Sequence, residues 1–289
     1  MTLSIETEGP NKDEIEFWNG PQGQNWVKQN DLTDLMYDPF GESVLEGVAL
    51  KPGERVLDVG CGCGKTTGKL AELVGSKGHV TALDLSVPML DVARTRTNSN
   101  AKHVEFVAGD AEIFEFEPES YDVMFSQFGL MFFHNLDAAF LNLFRALKPN
   151  GRLAFVSWRL PDLNPWLILP FEAVREFVPD MPKPNPDVVS SPFALAPKER
   201  VEKLLGDAGF VDVKLEVFDC PTRMGQGNLD DCMEFVADFS NPVATALRRS
   251  DPSLAYTILR SVRSALAPYH TGDTLELPGS AWIVSARRP

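Results

Sequence analysis

The chain has 289 residues, 44% of them hydrophobic and 24% charged, with 27 Lys and Arg against 41 Asp and Glu and a formal net charge of −14. That balance argues against tracking a nucleic-acid backbone or lying on an anionic membrane, both of which need clustered cations. No apolar run approaches the ~20 residues of a membrane helix, so membrane insertion is not expected, and the length suits one domain with insertions.

Met1 to Glu8 lack the basic and apolar segments of a secretory signal, and their acids argue against a mitochondrial transit peptide, so a cytoplasmic location is expected. Residues 1–11 are polar and contain Gly9-Pro10, which predicts a mobile tail. A short helix carrying Ile15, Phe17 and Trp18 follows, broken at Asn19-Gly20-Pro21. A second run takes Trp26 and Val27 toward Leu32, Leu35 and Met36. Residues 1–48 are therefore expected to be a tail and cap helices. Trp18, Trp26, Tyr37 and Phe40 must be covered, either by the core or by a pocket they help to wall.

After the turn Leu50-Lys51-Pro52-Gly53-Glu54, the run Arg55-Val56-Leu57-Asp58-Val59 suits a buried strand. It enters Gly60-Cys61-Gly62-Cys63-Gly64-Lys65-Thr66, where glycines permit positive φ and close backbone approach. Thr66 to Val74 reads as a helix with Leu70, Leu73 and Val74 on one face, and exposed amides at its start can receive a polar ligand. A phosphate-binding G-x-x-x-x-G-K-[ST] loop would need glycine at position 59, which is Val59; a dinucleotide G-x-G-x-x-G would need it at 65, which is Lys65.

His79 to Asp84 is a second strand ending in a carboxylate about twenty residues past the glycines, where an acid can accept from both hydroxyls of a ribose. Ser86 is placed to cap a helix with Pro88 in its first turn and Met89, Leu90 and Ala93 inward. Val104 to Ala108 is a third strand running into Gly109-Asp110-Ala111. Three strand-end acids thus stand in series: Asp58, which opens a D-x-G-x-G-x-G turn, and then Asp84 and Asp110.

This arrangement resembles the class I, Rossmann-like S-adenosylmethionine-dependent methyltransferases. The resemblance implies S-adenosylmethionine as cofactor and S-adenosylhomocysteine as product, bound around Asp58, Gly60, Cys61, Gly62 and Gly64. It further implies Asp84 at the ribose, Leu85 and Met89 beside the adenine, and Asp110 facing the adenine amino group between Gly109 and an amide from Ala111. In many relatives an N-terminal segment covers the methionine end of the cofactor, which makes Trp26 and Tyr37 candidates.

Tyr121 to Phe125 reads as the fourth strand. Because loops at carboxyl ends of strands carry the ligands in open α/β sheets, residues 126–134 are expected to face the reacting methyl, bringing in Ser126, Gln127, Phe128 and His134. The Asn/Asp-Pro-Pro-Tyr/Phe motif often carried here by enzymes that methylate amino groups of DNA bases or of glutamine is absent; Phe128, Leu130, Met131, Phe132 and Phe133 suggest an apolar wall. Up to Trp158 the chain looks similar to the ubiquinone/menaquinone C-methyltransferases and other small-molecule methyltransferases.

A helix over 136–147 and a strand over 152–158 complete a cofactor core at 49–158. The Pro-rich stretch 159–196 is expected as a lid, its start a helix around Trp166. Residues 197–289 supply a helix at 197–208 ended by Gly209, a strand at 210–218, a helical insertion at 219–278 with runs at 229–239 and 253–267, and a last strand at 281–286. The expected fold is α/β: a Rossmann-like, seven-stranded, mostly parallel sheet with helices on both faces.

Cys61 and Cys63 fit as small residues in the turn, and no Cys/His cluster completes a zinc site, so no metal is expected. His79 and His103 precede strands, away from the expected pocket, and His270 sits in the insertion; His134 and Tyr37 are the candidate catalytic side chains. A base is needed only if the acceptor carries a proton at neutral pH. The sequence therefore points to methyl transfer to a small, partly apolar molecule, with no nucleic-acid partner. An NAD-type oxidoreductase, disfavoured by the glycine spacing and by the lack of a Tyr-x-x-x-Lys pair, and a non-catalytic cofactor-binding regulatory protein are the alternatives.

Overall fold

A computed structural model describes residues 5, 8–97 and 103–289. Three helices precede the sheet: α1 (Lys12–Asn19), α2 (Pro21–Lys28) and α3 (Asn30–Val48). Gly20-Pro21 separates the first two because proline is favoured in a first helical turn and Gly20 adopts extended backbone. Along α3, Met36, Phe40 and Val44 recur at helical spacing and are fully buried, which fastens this helix against strands of the sheet.

Strands and helices then alternate: β1 (Arg55–Val59), α4 (Lys65–Val74), β2 (His79–Asp84), α5 (Val87–Arg96), β3 (Val104–Ala108), β4 (Tyr121–Gln127), α6 (Leu136–Ala146) and β5 (Leu147–Trp158). After α7 (Pro165–Arg175) and α8 (Lys198–Ala208) comes β6 (Val211–Gln226). Three helices, α9 (Leu229–Phe239), α10 (Asn241–Arg248) and α11 (Pro252–Leu266), separate it from β7 (His270–Thr271) and β8 (Thr274–Arg287).

The strand order is β3-β2-β1-β4-β5-β8-β6, with β7 paired to β8 off that path. β1 to β5 pair in parallel, while β8 runs antiparallel to both β5 and β6. The sheet has eight strands rather than the expected seven, the extra one being the two-residue β7. Its order reverses between β1 and β4, so a crevice opens at their carboxyl ends, where the glycine turn lies.

Several elements depart from the expected pattern. β6 and β8 extend well beyond 210–218 and 281–286, because their outer halves pair with each other past the edge of the parallel sheet. On α4 the inward residues are Leu70, Ala71 and Val74; Leu73 is 47% exposed, because it falls off the stripe that meets the sheet. Of the expected mobile tail, residues 1–4 and 6–7 lie outside the described residues, but Asn11 at its end is only 2% exposed. Among the described residues no helix is long and apolar enough to cross a membrane.

Two helical units cover the carboxyl ends of the strands. α2 packs on α5 and α9, and α7 packs on α10, α11 and β8. α2 is fastened to α9 at Asp238, near the end of α9, whose carboxylate accepts from Lys28 at 2.5 Å and Gln29 at 3.0 Å and whose carbonyl accepts from Asn25 at 2.9 Å.

Candidate functional site

Beneath this cover lies a cavity of about 520 Å³. The glycine turn forms its floor. Gly62 has φ +54°, and a Cβ placed on it would meet nothing within 4 Å, so the backbone there borders open space. Gly64, at φ +78°, instead packs against Ala93, where a Cβ would come within 2.7 Å of the alanine Cβ. α4 then begins at Lys65 with no side chain capping its first amides, and Lys65 and Thr66 line the cavity. Unpaired amides at a helix start attract a carboxylate or other partial negative charge.

The end of β2 supplies Asp84. Its carboxylate accepts from the Gly62 amide and the Ser86 amide, both at 2.7 Å, which fixes its plane against the turn. Burial pushes this carboxyl above its ordinary range, with the amides pulling in the other direction. A hydroxyl donor reaching it from the cavity would relieve that desolvation. Asn19 holds the next segment, donating to the Leu85 carbonyl at 3.0 Å and accepting from the Val87 amide at 3.0 Å.

At the end of β3, Asp110 and Glu112 are both buried. Asn11 donates to the two Asp110 oxygens at 2.9 and 3.0 Å and to Glu112 at 3.2 Å, and accepts from the His134 amide at 2.8 Å. The start of α1 is thereby fixed over Asp110.

Asp58 lies under the floor and does not line the cavity. It is fully buried, accepts from the Thr67 hydroxyl at 2.6 Å, and keeps its other oxygen without a partner. Desolvation, with the nearby Asp84 charge, pushes its carboxyl up to about 7.

The far half of the cavity is aromatic. Tyr37 stacks on Trp26 with centroids 5.8 Å apart, Phe128 stacks on Trp158 at 4.1 Å, and Trp158 meets Trp166 at 4.9 Å. Phe128 holds φ +60°, an uncommon backbone state for a bulky residue, which turns the chain at the end of β4 and sets the ring against Trp158. Gln127, donating to the Tyr37 carbonyl at 2.6 Å, joins β4 to α3.

The structure therefore gathers Trp26, Tyr37, Gly60, Cys61, Gly62, Asp84, Leu85, Met89, Gly109, Asp110, Ala111, Gln127 and Phe128 around one cavity. It does not bring Asp58, Gly64, Ser126 or His134 to its lining. Ser126 is buried as a brace, donating to the Val59 carbonyl at 2.7 Å and accepting from the Gly129 amide at 3.2 Å. His134 turns away: its exposed side chain lines a separate surface cleft with Arg200 and Lys203, because Asn11 holds its backbone at the cavity's outer wall. The expectation that 126–134 faces the cavity thus ends at Phe133. Missed were Glu14, Gln22 and Phe239, which line the cavity and whose only sequence signal is their place in segments rich in aromatics, and Asn11, which braces its wall and carries no such signal.

A family model described as a methyltransferase domain matches residues 56–151. The ubiquinone/menaquinone biosynthesis C-methyltransferase UbiE of Vibrio campbellii is 38% identical over 117 residues, covering 40% of this chain and 45% of that protein. Its counterpart from Vibrio parahaemolyticus is 33% identical over 174 residues, covering 57% of this chain and 67% of that one. The matched region thus spans between about half and two thirds of these relatives. In fold, the chain is similar to Haemonchus contortus phosphoethanolamine N-methyltransferase 2 in complex with S-adenosyl-L-methionine, with a TM-score of 0.53 and 23% identity over 87% of this chain and 52% of that one. This chain belongs to the class I, Rossmann-like S-adenosylmethionine-dependent methyltransferases, in the neighbourhood of the UbiE-like enzymes.

Proposed function

We propose that the protein transfers the methyl group of S-adenosylmethionine to a small, partly apolar molecule. The observation that carries this reading is continuity: the polar half of the cavity, with Gly62 and Asp84, opens directly onto the aromatic half, with Tyr37, Phe128 and Trp158.

The residues fit an adenosyl cofactor. Gly62 leaves free the space that a side chain would fill, and the uncapped start of α4 suits an α-carboxylate. Asp84, Leu85, Met89, Asp110 and Ala111 line the cavity: Asp84 would accept from the ribose hydroxyls, Leu85 and Met89 would flank the base, and Asp110 with the Ala111 amide would meet its edge. When bound, the cofactor supplies a methyl made electrophilic by its sulfonium. The chain's task is then to hold a nucleophile in line and keep water out, and such positioning contributes roughly 7–11 kcal/mol. Phe128, Trp158 and Trp166 form the wall that excludes water.

Tyr37 is suited to donate rather than to act as a base. Burial drives its phenol far above the ordinary value, so it stays protonated, and its hydroxyl has no partner among the described residues. His134 is assigned no part. The aromatic chamber is open to the cofactor half, whereas a purely regulatory binder would be supported by an occluded one.

Calorimetric titration with S-adenosylmethionine, S-adenosylhomocysteine and NAD in parallel tests the reading. Binding of the adenosyl pair without NAD is the expected result; binding of NAD alone, or of none, overturns it.

A further inference from the structure

The charges around the cavity are lopsided. Among the described residues six carboxylates line it, Asp13, Glu14, Asp34, Asp38, Asp84 and Asp110, against a single cation, Lys65. Most already have partners: Asp34 pairs with Arg96, Asp38 with Lys65 at 3.3 Å and Lys69 at 3.6 Å, Asp84 with backbone amides, and Asp110 with Asn11. Lys65 is thereby ion-paired, and among the described residues lining the cavity there is no second cation to receive a phosphate or carboxylate on the acceptor.

Glu14 projects from α1 into the cavity, accepts from the Trp18 indole N–H at 3.0 Å with the Ser190 hydroxyl alongside, and has no Lys, Arg or His ion-paired to it among the described residues. Asp13 has no ion-paired cation among the described residues either, but its side chain is exposed, whereas Glu14 is partly buried. The indole that fixes it belongs to an aromatic cluster, with Trp26 at 5.3 Å and Phe132 at 5.6 Å, both edge-on. A half-buried carboxylate without a counter-ion loses hydration that an arriving cation would replace, and aromatic rings attract the same charge. Burial does raise its pKa, as expected for a carboxylate awaiting a partner.

Resting on the methyltransferase reading above, we propose that the acceptor is a small amine that enters as its ammonium form, and that Glu14 is the specificity-determining residue that receives it and takes one of its protons, which frees the nitrogen lone pair to accept the methyl as the cofactor's S–CH3 bond breaks. Trp18 orients the carboxylate, and the Trp26 and Phe132 rings take the apolar body of the amine. Phosphorylated and carboxylated acceptors are rejected by the same field.

The test uses the full chain saturated with S-adenosylhomocysteine and three probes of similar bulk: 2-phenylethylamine, 3-phenylpropan-1-ol and 3-phenylpropanoate. Calorimetry is expected to rank the amine above the alcohol and to detect no binding of the carboxylate. In Glu14→Gln, which keeps the acceptor for Trp18, amine affinity should fall about tenfold, toward that of the alcohol, the scale of one charge-assisted hydrogen bond. Equal binding of the three probes, or an unchanged preference in the variant, overturns the proposal. The cofactor's sulfonium is the other cation that Glu14 could serve, and S-adenosylhomocysteine lacks that charge. A variant that loses affinity for S-adenosylmethionine but not for S-adenosylhomocysteine, with amine binding intact, would assign Glu14 to the sulfonium and overturn the amine. Failure of wild-type protein to bind either adenosyl compound is the separate result that removes the methyltransferase reading and this proposal with it.

Discussion

The carboxylate of Asp84 accepts the Gly62 amide at 2.7 Å, so the acid that ends β2 and the middle glycine of the turn after β1 form one rigid corner of the cavity. Neither residue can shift without the other. The corner presents the remaining lone pairs of Asp84 to the cavity and leaves the α face of Gly62 bare for a ligand.

Asp84→Ala should therefore weaken binding of S-adenosylhomocysteine by about ten- to a hundredfold, the range expected for losing hydrogen bonds to a charged acceptor. The thermal midpoint should also fall, because the buried Ser86 amide loses its acceptor, but the chain should still fold, since the Gly62 amide borders the cavity and can turn to water. Calorimetry and thermal unfolding on the same preparation measure both, and an unchanged affinity would take the ribose role away from Asp84.

Asp58 gives the protein a pH signature. Its folded value, pushed up to about 7, lies above the ordinary unfolded value, so the native state holds a proton that the unfolded chain releases. The stabilisation this provides is complete below the unfolded pKa, about pH 4, and is lost as pH rises through about 7. Asp58→Asn imitates the protonated form and keeps an acceptor for Thr67. The variant should show a flatter dependence of thermal midpoint on pH between about 5 and 8, and at the upper end it should be the more stable protein. A parallel pair of curves would place the Asp58 proton elsewhere.

Asn11 binds three partners with one amide, and two of them are buried carboxylates. Truncation to Ala leaves Asp110 and Glu112 short of a donor and should cost about 1.5–3 kcal/mol in denaturant unfolding. Asn11→Asp should cost more, because it adds a third carboxylate to the pair instead of merely removing their donor. Should the aspartate variant prove the more stable of the two, the carboxylates do not depend on that amide.

How far the sequence disclosed this molecule depends on the range of the contacts. The buried β-branched runs ending in Asp58, Asp84 and Asp110 identified the strands and their ligand-bearing ends, because strand patterning and the glycine turn are local. Ser86 and Pro88 likewise announced α5, where Ser86 accepts from the Met89 amide as its cap. Asn11 was hidden, since its partners lie about a hundred positions away and nothing in a polar segment with Gly-Pro announces burial. His134 misled for a related reason: a strand-end loop has two sides, and only the distant Asn11 decides which of its residues turn outward. Glu14 was likewise illegible, because the absence of a counter-ion is a property of the assembled cavity.

Gly62 and Gly64 separate binding from folding within three residues. Both have positive φ, so an alanine at either strains the backbone, by roughly 1–2 kcal/mol. At Gly64 the new methyl must also displace Ala93 on α5, 2.7 Å away, so Gly64→Ala should lower the thermal midpoint substantially and lose binding only through that disorder. At Gly62 the methyl meets no protein atom within 4 Å and projects into the space assigned to the cofactor. Gly62→Ala should then fold with little more than the backbone penalty yet bind S-adenosylhomocysteine at least tenfold more weakly, a contact between a Cβ and a ligand that requires a glycine. Measured side by side, thermal midpoints and calorimetric affinities should move in opposite order for the two variants. If Gly62→Ala binds as tightly as the parent, the cofactor does not lie over that turn, and the assignment of the cavity's polar half would have to be redrawn.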